Sequence, residues 1–161
     1  VYGDKARIEI ERKFLIRDDS WRREADAGTK VRQGFLAATR GCTVRVRSVA
    51  GRGVITVKGA TRGISREEYE YEIPLADAEG MLETLCSGIL VEKVRYRIPR
   101  GDLVWEIDVF EGENRGLVLA EVELDREDRK VDLPPWIGEE VSRDPRYFNA
   151  YLSSRPYRSW D

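Results

Sequence analysis

Residues 7–16, RIEIERKFLI, alternate charged and apolar side chains almost without interruption. Successive side chains of a strand take opposite faces, so Glu9, Glu11 and Lys13 share one face while Ile8, Ile10 and Phe14 take the other. The same period of two returns at 31–38, 43–49, 54–59, 66–74, 91–99, 103–110 and 118–125, and it predicts a strand at each. Gly41, Gly51, Gly53 and Gly63 punctuate the first half as hairpin turns require. A polar stretch at 18–30 holds one expected helical turn near 20–25. Residues 76–86, ADAEGMLETLC, read as a helix, with Met81, Leu82 and Leu85 at helical spacing. Pro134 and Pro135 stop the strand run, and Asp144-Pro145 is expected to open a last helix through residue 152. Eight strands with short turns predict a mainly β fold, an antiparallel sheet closed into a barrel, because closure removes exposed edges.

Sorting the charges by strand adds a second pattern. Arg45 and Arg47 share one face, as do Lys93, Arg95 and Arg97. Glu106 and Asp108 share another, as do Glu121 and Glu123, while Arg66, Glu68, Glu70 and Glu72 form a mixed set and Lys58 lies in phase with Thr56. One explanation is a sheet with its apolar face on a core and its charged face in water. Solvated faces usually mix signs, however, because like charges side by side repel. Two unit charges 4 Å apart interact by roughly 4 kcal/mol at an effective dielectric near 20. The alternative is a barrel with its charges inside, one wall basic for a polyanion and another acidic for the cations that bridge to it. Both arrangements satisfy the alternation.

Composition narrows the chemistry. The chain has 161 residues, enough for one domain with its own core. Charged residues make up 36%, yet the net charge is −2, which argues against nucleic acid or an anionic membrane as partner. There is no histidine, so Ser-His-Asp and Cys-His nucleophiles and imidazole bases are excluded. Cys42 and Cys86 lack thiolate-cluster spacing, which leaves oxygen ligands and hard cations for any metal site. The two cysteines fit free thiols in a reducing cytoplasm better than a disulfide. No apolar run approaches a membrane span. The chain starts at Val1 without a methionine, and residues 1–6 are expected to be an appendage from trimming or fusion.

The motifs then fall into a known order. EIERKFLI with Glu9-x-Glu11-x-Lys13, RQGFL at 32–36, TVRVR at 43–47, TVKG at 56–59, SREEYEYEIP at 65–74, VEKVRY at 91–96, WEIDVF at 105–110 and AEVEL at 120–124 resemble the CYTH domain of the triphosphate tunnel metalloenzymes. PPWIGEEV and DPRYFN in the tail are similar to the short bacterial members. The resemblance implies an eight-stranded antiparallel barrel forming a tunnel, a few peripheral helices and a C-terminal plug helix around Tyr147 and Asn149. It implies a domain at 7–155 followed by a tail at 156–161.

It also implies roles. Glu9, Glu11, Glu121 and Glu123 would hold one or two Mg²⁺ or Mn²⁺ ions. Lys13, Arg45, Arg47, Lys58, Arg66, Lys93 and Arg95 would bind phosphate oxygens, and Glu9, Glu11, Lys13, Lys93, Glu121 and Glu123 would carry the chemistry. Glu68, Glu70, Glu106 and Asp108 would line the tunnel without an assigned task. The implied reaction is hydrolysis of inorganic triphosphate by a metal-activated water, which needs positioning and charge neutralisation rather than a protein nucleophile. Class IV adenylyl cyclase, thiamine triphosphatase and a non-catalytic polyphosphate-binding module share the fold and stay as alternatives. Phe35 departs from the Tyr that similar bacterial members often carry. Arg97, Glu72, Glu139 and Glu140 are expected at the rim or in solvent. The outward aromatics Tyr69, Tyr71, Tyr96 and Trp105 are expected under the helices and a partner subunit, as in a homodimer.

Overall fold

The structure is a computed structural model that describes residues 7–160. The expected appendage at 1–6 lies outside the described residues. Nine strands form one sheet: β1 (Ile8–Ile16), β2 (Thr29–Ala38), β3 (Cys42–Val49), β4 (Arg52–Gly59), β5 (Ser65–Ile73), β6 (Ser87–Arg100), β7 (Leu103–Phe110), β8 (Val118–Glu123) and β9 (Ile137–Glu140). The order is β5-β4-β3-β2-β6-β7-β8-β1-β9, and a β5–β1 pairing closes eight strands into an antiparallel barrel. All eight expected strands are present. β6 begins earlier than its alternation suggests, because Ser87–Leu90 adds paired residues that do not alternate.

β9 was not expected. Its sequence IGEE has no apolar alternation, and the sequence reading places Glu139 and Glu140 in a solvated loop or helix start. It forms because β1 has an edge to cover. β5 pairs with only the first part of β1, Ile8 to Ile10, and β9 takes up Phe14 to Ile16 on the same side. Glu140 is fixed there by a bidentate bond from Arg12, at 2.9 Å for each contact.

The helical elements are short. The expected turn near 20–25 is a 3-10 turn at Asp19–Arg23, capped by the Asp18 side chain. α1 spans Leu75–Thr84. The last helix is divided. Asp144 caps a 3-10 turn at Pro145–Tyr147, Phe148 leaves helical geometry, and α2 runs from Asn149 to Ser154. None of these helices is long and apolar enough to cross a membrane.

The barrel puts its charges inward, so its apolar cores lie outside and at one end. One core packs Trp105 and Ile107 of β7 with Phe14 of β1 and Val122 of β8, beneath Trp21 and Trp136. Trp105 meets Phe14 at 5.6 Å and Trp136 at 5.8 Å between ring centroids. A second core sets α1, through Ala78 and Leu82, against Val46 of β3. The third plugs one end of the barrel, where Leu152 of α2 meets Val91, Phe110, Leu119 and Val141, flanked by Tyr147, Tyr157 and Trp160. Tyr96 and Trp105 are covered as expected. Tyr69 and Tyr71 are not, at 40% and 46% exposure, and within one chain Arg7 lies over both rings.

The plug depends on Gly88. This residue has φ +72°, and a Cβ there would collide with the Ser153 carbonyl of α2. Gly88→Ala should therefore lower stability by about 2–4 kcal/mol, from the strained backbone and the lost seat of α2. Urea denaturation of variant and parent measures it.

Candidate active site: a charged tunnel

The lumen is a cavity of about 1170 Å³ lined from every strand of the barrel except β7's buried end. That exceeds the ~300–1,000 Å³ usual for small-molecule sites and leaves room for an anion with its counter-ions and waters. Glu9, Glu11, Lys13, Arg45, Arg47, Lys58, Arg66, Glu68, Glu70, Lys93, Arg95, Glu106, Glu121 and Glu123 all reach it. Of the expected set, only Asp108 is withdrawn. It is fully buried in the wall between Lys93, at 2.7 Å, and Arg95, at 2.7 and 2.8 Å. Arg97 and Glu72 are exposed at the rim, where Glu72 pairs with Arg52.

Register explains the acidic wall. Glu11 stands opposite Glu123, Lys13 opposite Glu121, and Glu121 opposite Glu106, so one side face of β1, β8 and β7 carries four carboxylates around one ammonium. Glu121 is held by Lys13 at 3.3 Å and Arg95 at 3.2 Å. Burial alone would push its carboxyl up, but Lys13 and Arg95 outweigh that and hold it well below the ordinary range. Glu9 is likewise kept low against its burial by Lys58, at 2.9 Å, and Arg66, at 3.2 Å.

Glu11 and Glu123 differ. Among the described residues, neither carboxylate has an ion pair or a side-chain hydrogen bond. Burial, followed by the charges of Glu121 and Glu9, pushes Glu11 up to about 8. Burial with Glu9 and Glu68 raises Glu123. Two uncompensated carboxylates side by side are a costly arrangement that a divalent cation would relieve.

The basic wall shows the converse. Arg47 reaches Glu70 at 3.0 Å, and Lys58 lies between Glu9 and Glu68, at 2.9 and 3.1 Å. Lys93 is buried to about 8 despite Asp108, and it also donates to Asn149 Oδ1 at 3.1 Å. Arg95 spends its donors on Asp108, Glu106 and Glu121, and those carboxylates outweigh burial to hold it well above its ordinary value. Arg45 has no such partner. Among the described residues no carboxylate pairs with it, its Nε has no hydrogen-bond acceptor, and enclosure beside Arg47 and Arg95 lowers it to about 9. A guanidinium placed so is matched by an anion that the protein does not itself supply.

The carboxylates are oxygen donors suited to a hard divalent cation. Among the described residues, though, no three acidic, cysteine or histidine side chains converge on a metal position. The donors fit in kind, and Glu9 and Glu121 are here engaged by lysine and arginine.

Residues that alternation did not single out complete the site. Ser142 accepts from the Lys13 backbone N–H at 2.9 Å, and Lys13 Nζ donates to the Tyr147 carbonyl at 3.2 Å. Fully buried Gln33 donates to Asn149 at 2.6 Å. Gln33 lies in RQGFL in phase with Phe35, a signal that was available. Ser142 and Phe148 carry none. Phe35 is buried and borders the cavity without a hydroxyl.

The Glu11 shift has a definite sign. Its folded value of about 8 stands above the ordinary 4.5, so between those pH values the folded chain holds a proton that the unfolded chain releases. Stability of the metal-free protein should fall as pH rises through that window. Glu11→Gln, uncharged throughout, should lose less melting temperature over the same range, as a thermal melt at each pH will read.

The model of the CYTH domain matches residues 7–157. The chain is 45% identical over 152 residues to an inorganic triphosphatase of Acetivibrio thermocellus, covering 94% of this chain and 97% of the relative. It is 39% identical over 150 residues to an inorganic triphosphatase of Nitrosomonas europaea, covering 90% and 96%. The crystal structure of an inorganic triphosphatase superposes with a TM-score of 0.63 at 36% identity, over 90% of this chain and 93% of that one. Fold, motif order and these likenesses over nearly the whole length agree: the chain belongs to the CYTH domain family.

Proposed function

We propose that this protein is a divalent-metal-dependent hydrolase of inorganic triphosphate, acting inside the tunnel. The observation that carries the reading is Arg45, an enclosed guanidinium with no ion-paired carboxylate among the described residues, facing a lumen whose opposite wall holds Glu11 and Glu123, likewise without ion pairs there. The two relatives that match along nearly their full length are inorganic triphosphatases, which supports this substrate.

A tripolyphosphate carries roughly four to five negative charges near neutral pH, and its hydrolysis is catalysed by positioning and charge neutralisation. Arg45 and Arg47 bind its oxygens by paired donors, while Lys13, Lys58 and Lys93 act as point charges and Arg66 and Arg95 border the same space. Glu9, Glu11, Glu121 and Glu123 would hold one or two Mg²⁺ or Mn²⁺ ions, which would supply further neutralisation and make a water more acidic. Glu9 is shared by Lys58 and Arg66, and Glu121 by Lys13 and Arg95, so these carboxylates would become free as ligands as bound phosphate takes over those cations. Water adds to phosphorus, the P–O bond to the leaving phosphate breaks, and a carboxylate of the acidic wall takes the water's proton. Glu68, Glu70 and Glu106 keep the neighbouring cations oriented.

Two free cysteines fit a reducing cytoplasm, and the exposed strip of Ile8, Tyr69 and Tyr71 is the face on which a homodimer would form.

Phosphate release from tripolyphosphate, ATP and thiamine triphosphate, with Mg²⁺, Mn²⁺ or chelator, tests the function. Metal-dependent release from tripolyphosphate alone is expected. Cyclic AMP from ATP, release from thiamine triphosphate alone, or tight binding without turnover would overturn it. Arg45→Ala should raise KM for tripolyphosphate about 10- to 100-fold. Lys13→Met and Arg47→Ala should weaken binding in the same direction, and Glu11→Gln should abolish turnover while the protein stays folded.

A further inference from the structure

The C-terminal segment brings two aromatic residues to the tunnel, Tyr151 of α2 and Phe148, which stands between the 3-10 turn at Pro145–Tyr147 and α2. Its backbone is tied on both sides. Its N–H donates to the Pro145 carbonyl at 3.0 Å, and its own carbonyl accepts from Leu152 N–H at 3.1 Å. The ring lies against cations from the two strands that close the barrel. Lys13 Nζ of β1 is 5.5 Å from its centroid, and Arg66 Cζ of β5 is 6.0 Å away. Resting on the reading of the tunnel as a triphosphate site, we propose that Phe148 is a positioning residue that holds Lys13 and Arg66 toward the bound phosphate.

Two cations meant for a substrate anion have to be oriented without being neutralised. A carboxylate orients a cation but competes with phosphate for it. An aromatic face attracts cations through its quadrupole and brings no formal charge. Lys13 already has Glu121 at 3.3 Å and Arg66 has Glu9 at 3.2 Å. A further acid would saturate them as Arg95 is saturated, whereas the ring leaves donors for the ligand.

The ring also limits where Lys13 can go. Phe148 borders a second cavity of about 30 Å³, together with Glu9, Glu11, Lys13, Arg66 and Ser142. That is the volume of about one water molecule. A smaller side chain at 148 would merge this space with the tunnel and let the lysine swing away from the lumen.

The test measures tripolyphosphate binding by calorimetry in chelator, where only the basic wall acts, alongside metal-supported kinetics. Phe148→Leu should weaken binding about 5- to 10-fold and raise KM by a similar factor, with kcat within about twofold and an unchanged melting temperature. Phe148→Tyr, which keeps the ring, should stay within about twofold of the parent. Phe148→Met is the second ring-less variant, and whichever of the two melts as the parent does decides the matter. Parent-like binding by that variant, or a Tyr variant as weak as it, overturns the inference while the parent's hydrolysis keeps the proposed function. A parent that neither binds nor hydrolyses tripolyphosphate removes both.

Discussion

Opposite charges paired between nearby strands around an enclosed lumen hold this tunnel in its present form. Each wall alone would repel itself, Arg45 against Arg47 and Arg95, Glu11 against Glu9 and Glu121. Pairs between nearby strands offset much of that: Lys58 with Glu9 and Glu68, and Arg95 with Asp108, Glu106 and Glu121. Buried ion pairs seldom stabilise a fold more than apolar residues of the same size would. Their value here lies in exchange. In the proposed reaction a polyanion would replace the carboxylates around the cations, and a metal ion would replace the cations around the carboxylates, so both walls would change partners without either charge being stranded.

Such a lumen contributes little to stability, so the apolar work is done elsewhere. Trp21, Trp105 and Trp136 are all essentially inaccessible, and they pack on the outside of the barrel rather than within it. α1 covers another outer sector, and α2 closes one end. Long charged side chains fill the inside, where most small barrels carry apolar ones. This separation lets residues of the lumen serve chemistry while packing is secured by a different layer.

Much of this arrangement is legible in the sequence because strand alternation assigns every charge to one face and every aliphatic to the other. Alternation alone cannot say which face is inside; motif order resolved that, and the outward positions of Trp105 and Val122 agree. It also cannot reveal how charges pair between neighbouring strands. Asp108 looks like a lining residue by phase, yet Lys93 and Arg95 draw it fully into the wall. β9 escaped because its four residues lack a pattern and exist as a strand only through the edge that β5 leaves on β1. The apparent single helix at 144–152 breaks at Phe148, since the turn starting at Pro145 and the α-helix starting at Asn149 have separate caps. Ser142 and Phe148 act through distant strands, and no local spacing carries that information.

The placement of β1 bears on how the molecule is made. Its first three paired residues wait for 65–67, its middle for 119–123, and its end for 137–140. The first of the barrel's strands in chain order is thus among the last to be fully paired, and contacts so distant in sequence form slowly. Until residue 140 is synthesised, an amphipathic strand bearing Glu9 and Glu11 of the lumen has an open edge. An incomplete chain would lack more than its plug: it would display an adhesive edge by which cellular quality control can recognise it.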